Sequence, residues 1–133
     1  MRFASVLSAL ILTAIPAFSQ TPCDGNPTVV RVSTIKPGAM EKFMAAVAAH
    51  KTWYRDNGVT ENEIFTARVL VRDEATKSWK NSETEVISFH VRPPSSARTP
   101  KRGDAAWNAY VQMYRDSSEI KAEYMTCMPK MGR

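Results

Sequence analysis

Glycine is scarce in this chain, five residues in 133, and its scarcity excludes one large class of function. The stretch RVSTIKPGAMEKF (31–43) runs from an alternating, β-branched segment through a turn into a helix start, where a phosphate-holding loop would sit. Such a loop needs several glycines, so that successive backbone amides can close on the anion. Gly38 stands alone, and the two strands that follow read as a hairpin rather than as parallel partners in a dinucleotide-binding fold. The stretch is therefore a corner: Pro37 ends the strand, Gly38 turns the chain and serves as N-cap, and Met40 and Phe43 begin a core face. Histidine is scarcer still, with only His50 and His90. Neither has a carboxylate or cysteine at metal-ligand spacing, so no metal and no cofactor is expected. No catalytic triad and no usefully spaced pair of carboxylates is present, which leaves nucleophilic and glycosidic chemistry without support.

Cysteine is limited to Cys23 and Cys127. An even count in an exported chain favours a disulfide, which would staple both ends of the domain together. Export is read from residues 1–19, MRFASVLSALILTAIPAFS, with one arginine near the start, a largely apolar run, and small residues at Ala17 and Ser19. That is the layout of a secretory signal peptide, too short for a lasting membrane anchor. Cleavage near Ser19 would leave residues 20–133 as one secreted or periplasmic domain, large enough to bury a core. The residues before Cys23, QTP, are unlike the small ones that precede a lipid-anchored cysteine. The formal net charge of +5 is spread along the chain apart from ARTPKR at 97–102. A nucleic-acid partner would want a longer basic stripe with interleaved aromatics, so none is expected.

Periodicity supplies the elements. Residues 28–36, TVVRVSTIK, alternate as a strand. From residue 39 the period lengthens, with Met40, Phe43, Met44, Val47 and Tyr54 on one helical stripe and Asn57-Gly58 as its stop. Residues 63–72 and 84–92 alternate again and form a hairpin whose long polar connector leaves room for the strands to extend. Asp104 is a good N-cap for a helix carrying Trp107, Tyr110, Val111 and Tyr114. DSSE at 116–119 matches a capping box, so a further helix is expected, burying Ile120, Tyr124, Cys127 and Met128. In the strands Phe65, Ala67, Val69, Val71 and Ile87, Phe89, Val91 make plainly apolar faces, expected to meet the helices. Arg31, Ser33, Thr66, Arg68, Ser88 and His90 gather on the opposite faces, either open to solvent or lining a polar dimer interior that holds an anion between Arg31 and Arg68.

This order, the IKPGAMEKF entry to the first helix and the aromatic AAWNAYVQMYRDSSEIKAEY segment resemble the dimeric α/β-barrel superfamily, and within it the antibiotic-biosynthesis-monooxygenase type of domain, over residues 28–128. The resemblance implies an α+β, ferredoxin-like βαββα(β) sandwich, an antiparallel sheet with two main helices on one face. It further implies a two-fold homodimer and a pocket between sheet and helices. Only MPKMGR follows Cys127, so the fourth strand is expected to be short or missing. Relatives include cofactor-free oxygenases and haem-degrading enzymes, but the latter carry a histidine ligand on the second helix, where this chain has none. No catalytic residue is therefore transferred.

The ligand-binding candidates are Arg31, Ser33, His50, Trp53, Arg68, His90, Tyr110 and Tyr114. His50 sits at the edge of the helical stripe, as a satisfied boundary residue or as a pocket-lining acid or base. Trp53, Tyr54, Trp107, Tyr110, Tyr114 and Tyr124 offer stacking faces for a flat, partly polar ligand, or ordinary packing. Lys51, near the middle of that stripe, either snorkels or faces a carboxylate ligand. Three readings follow. The first is a non-catalytic domain holding a small aromatic, amphipathic or anionic molecule between sheet and helices. The second is a cofactor-independent monooxygenase-like enzyme using His50, Trp53, Tyr110 or Tyr114 to position an aromatic substrate. The third is a structural dimer without a ligand.

Overall fold

In the computed structural model, which describes residues 23–95 and 98–130, the two periodicities separate into one sheet and two helices. Strands β1 (Asn26–Ile35), β2 (Glu63–Arg72), β3 (Trp79–Val91) and β4 (Ser118–Met128) pair antiparallel in the order β2-β3-β1-β4. Helices α1 (Met40–Asp56) and α2 (Ala105–Ser117) lie between β1 and β2 and between β3 and β4 in the chain. The molecule is α+β, with a four-stranded antiparallel sheet and two helices, compatible with a ferredoxin-like fold. The expected signal peptide lies outside the described residues.

Local chemistry sets the corners. The Ala39 N–H donates to the Lys36 carbonyl at 3.0 Å with Gly38 at φ 70°, a turn whose third position must adopt the left-handed region and so favours glycine. The N-cap of α1 is Ala39 rather than Gly38, and no side chain caps it. Asp104 caps α2, accepting from the Trp107 N–H at 2.6 Å. The same carboxylate accepts the Trp53 indole N–H at 3.1 and 3.2 Å. One residue thus ends the loop before α2 and ties α2 to α1. Of the two hairpin strands only β3 extends: it begins at Trp79 while β2 keeps the expected 63–72, and the connector shrinks to residues 73–78.

The fourth strand is neither short nor missing, and the helix expected from DSSE does not form. Ser117 is the last residue of α2, its hydroxyl donating back to the Met113 carbonyl at 2.6 Å, and Ser118 is already extended at φ −154°, ψ 167°. Asp116 caps nothing; it pairs with Lys42 at 2.7 Å. From Ser118 the chain pairs with β1 along the whole of that strand, from Ile35↔Ser118 to Asn26↔Met128. The ladder's ten β1 residues outweigh a two-residue cap signal, because each pairing satisfies backbone groups of both strands.

The faces of the sheet are the reverse of those expected. Directly opposed residues share a face, so Arg31, Ser88 and Thr66 lie together, as do Val29, His90 and Ile64. It is this face that meets the helices, since Arg31, Ser33, Ile64, Ser88 and His90 share a cavity with Phe43 and His50 of α1 and Tyr114 of α2. The core is Ile35, Phe43, Val47, Trp53, Tyr54, Ile64, Val86 and Tyr110. By register Val30, Val32, Phe65, Ala67, Ile87 and Phe89 share the other face of the sheet, where Phe65 and Phe89 stack at 4.8 Å. Volume explains the inversion. The helices bring large rings to the sheet, and small serines beneath them leave room that a row of phenylalanines would fill.

Cys23 and Cys127 are joined by a disulfide across 104 residues, as expected from their number. Such a bond belongs to an oxidising, extracytoplasmic compartment. No helix among the described residues is long and apolar enough to cross a membrane.

Candidate functional site

Between the helices and the polar sheet face lies a cavity of about 410 Å³. Its walls are apolar at Val29, Phe43, Ile64, Phe89 and Ile120, and its polar groups include Arg31, Ser33, His50, Ser88, His90 and Tyr114. Ile120 reaches it because of an irregularity in β4. The register shifts between Val32 and Ser33, so Ser33 faces Ile120 while Val32 faces Ala122. Lys121 is the extra residue, and a bulge of this kind re-aims a side chain that strict alternation would send to the other face.

His50 is the centre of a ring cluster. It lies nearly parallel to Tyr110 with centroids 4.6 Å apart, and it is 5.2 Å from Tyr54, 5.7 Å from His90 and 5.9 Å from Tyr114. The Tyr114 hydroxyl stands 3.5 Å from His50 Nδ1, the outer limit of a hydrogen bond. Asn62 donates its side-chain amide to His90 Nε2 at 3.1 Å, which leaves the proton of a neutral ring on Nδ1.

Electrostatics keep these rings uncharged. Burial, then the neighbouring His90 and Arg31, lower His50 from 6.5 to about 3. Burial and Arg31 lower His90 to about 4. Burial also holds the phenols of Tyr54, Tyr110 and Tyr114 above their usual range. At neutral pH the cavity therefore offers neutral donors and acceptors beside the guanidinium of Arg31, which pairs with Glu123 of β4. The rim adds Arg115 and Glu119, one charge of each sign.

Of the eight candidates, Arg31, Ser33, His50, His90 and Tyr114 converge on this cavity. Tyr110 is one layer behind, 2 % exposed and stacked on His50, and its hydroxyl has no hydrogen-bond partner among the described residues. Trp53 is buried between the helices and committed to Asp104. Arg68 is absent from the cavity wall; its guanidinium donates to the Ser82 carbonyl, where the β2–β3 pairing breaks between Arg68 and Leu70. Lys51 is exposed, away from the core stripe. Among the described residues no three His, Cys, Asp or Glu side chains group to hold a metal. Sequence reasoning missed Asn62, Glu123 and Ile120. The alternation of Glu119, Lys121 and Glu123 with Ile120, Ala122 and Tyr124 was the available signal for a strand carrying Glu123, whereas Ile120 reaches the cavity through a bulge that alternation does not encode.

The chain matches no family model, no curated protein and no solved structure under comparison.

Proposed function

We propose that this protein is an exported, non-catalytic member of the dimeric α/β-barrel superfamily, of the antibiotic-biosynthesis-monooxygenase type, that holds a small aromatic or amphipathic molecule between sheet and helices. The observation that carries this reading is the cavity of about 410 Å³ with apolar walls and convergent neutral polar groups, the size and composition of a small-molecule site. His50 and His90 recognise rather than react. A ring that stays neutral down to about pH 3 or 4 is a weak base, whereas a general base works best with a pKa near the operating pH. That weighs against an acid–base role for His50, while the monooxygenase-like alternative, in which His50, Trp53, Tyr110 or Tyr114 position an aromatic substrate, is the second reading. The sheet face carrying Val30, Val32, Phe65, Ile87 and Phe89 suits a second copy of the chain, as in a two-fold homodimer, with the Glu85–Lys121 ion pair at its margin.

The test is calorimetric titration with 2-naphthol, a flat two-ring probe with one polar group. Saturable 1:1 binding that is lost in Ser88→Leu, with the melting temperature of that variant preserved, supports the reading. No heat of binding across a panel of such probes, or binding unaffected by Ser88→Leu, contradicts it. Oxygen consumption with hydroquinones would instead establish the enzymatic alternative.

A further inference from the structure

We propose that the molecule taken by this cavity is an aromatic acid whose carboxylate replaces Glu123 on Arg31. The inference rests on the cavity being a ligand site and adds the chemical class of the ligand. Arg31 and Glu123 face each other directly across the β1–β4 pairing, and their side chains form an ion pair. Arg31 lines the cavity, whereas Glu123 does not. One partner of the pair therefore already faces the ligand space while the other holds it from outside.

The charges around that space favour an anion at one place only. His50, His90 and Tyr114 are neutral, and Arg115 and Glu119 add one charge of each sign to the lining. Arg31 is the positive charge that bears on both histidines, lowering the proton affinity of His50 and His90, and it acts on Tyr114 and, after Arg102, on Tyr54 in the same direction. A guanidinium that reaches four separate titrating groups also reaches a ligand lying among them. The planar fork of arginine binds a carboxylate through two parallel hydrogen bonds. The pair with Glu123 is half exposed, with side chains 43 % and 50 % accessible, and an ion pair so placed contributes little to stability. Exchanging one carboxylate for another on Arg31 therefore costs little, and the ring system of the ligand gains the apolar walls.

Glu123 is then a competitor, which gives the proposal an unusual signature. Removing its charge should strengthen binding of an acid rather than weaken it. The experiment titrates the full disulfide-bonded protein with 2-naphthoate and with the neutral 2-naphthamide. In Arg31→Gln, naphthoate affinity should fall about tenfold or more while naphthamide changes less than twofold. In Glu123→Gln, naphthoate affinity should rise about threefold or more, with naphthamide again unchanged. Thermal melts of both variants establish that each is folded, and Arg31→Lys, which keeps the charge without the fork, should fall between wild type and Arg31→Gln. Naphthamide binding as well as naphthoate, with neither substitution separating them, overturns the acid specificity while the ligand site stands. If neither probe binds the wild-type protein, both the specificity and the site are overturned.

Discussion

The His50 and His90 rings, one from α1 and one from β3, meet edge to face with centroids 5.7 Å apart inside the cavity, and both are neutral at physiological pH. The histidines come from positions forty residues apart, and their convergence is the feature that most defines the interior. It also ties stability to pH. Both groups have depressed pKa values when folded, so the unfolded chain binds protons that the native protein does not. Their contribution is intact above the unfolded value of 6.5 and is lost as pH falls toward about 4 and then 3.

Between pH 7 and pH 5 the two histidines should together cost about 3 to 4 kcal/mol of stability, because the unfolded rings protonate in that interval while the folded ones stay neutral. Urea unfolding followed across this range measures it, with close to two protons taken up per molecule on unfolding at pH 5. A flat profile would mean that the rings are charged or solvated in the native protein.

Tyr110 carries a buried hydroxyl with no partner among the described residues, while its ring packs on His50. Tyr110→Phe keeps the ring and removes the unpaired group, so stability should be unchanged or raised by up to about 1 kcal/mol. Tyr110→Ala removes the ring as well and should cost about 3 to 5 kcal/mol. Paired urea titrations separate the two, and a strongly destabilised Tyr110→Phe would show that the hydroxyl is satisfied.

The Trp53 indole and the α2 N-terminus share one acceptor, Asp104. Asp104→Ala should lower the melting temperature by several degrees and alter tryptophan emission, since both the cap and the indole bond are lost. Asp104→Asn, which retains an acceptor oxygen, should recover part of each. An Asp104→Ala protein with wild-type melting and emission would deny the link between the helices.

The disulfide closes almost the whole described chain into one loop. Removing it in a Cys23→Ser, Cys127→Ser double variant should cost about 4 kcal/mol by loop-entropy reasoning, a fall in melting temperature on the order of 15 °C. Differential scanning calorimetry with and without reductant reads this directly. An unchanged transition would mean that the ends are held by the β1–β4 ladder alone.

The parts of the fold legible in the sequence are those with strong local signals. The alternation of 28–36 and 63–72, the turn at Pro37-Gly38 and the cap at Asp104 each act within a few residues, and each element forms where its signal lies. β4 was hidden because Ile120, Tyr124, Cys127 and Met128 fall at helical spacings, while its partner β1 is nearly a hundred residues away. The faces were inverted because apolar content alone does not decide which side of a sheet is covered. The decisive fact is the bulk of Phe43, His50, Tyr54 and Tyr114 arriving from the helices, which fits over serine and not over phenylalanine. Individually the cavity residues were legible as polar or aromatic oddities. Their meeting was not, since it depends on contacts between α1, α2, β1 and β3 that no local pattern encodes.

The most direct test of a ligand site built on this cluster is a nuclear magnetic resonance titration in which the imidazole signals of His50 and His90 are followed as 2-naphthol is added. Both rings should shift together along one saturable curve in the wild-type protein, and neither should move in Ser88→Leu. Imidazole signals that stay fixed at millimolar probe, in a protein whose fold is intact, would contradict it.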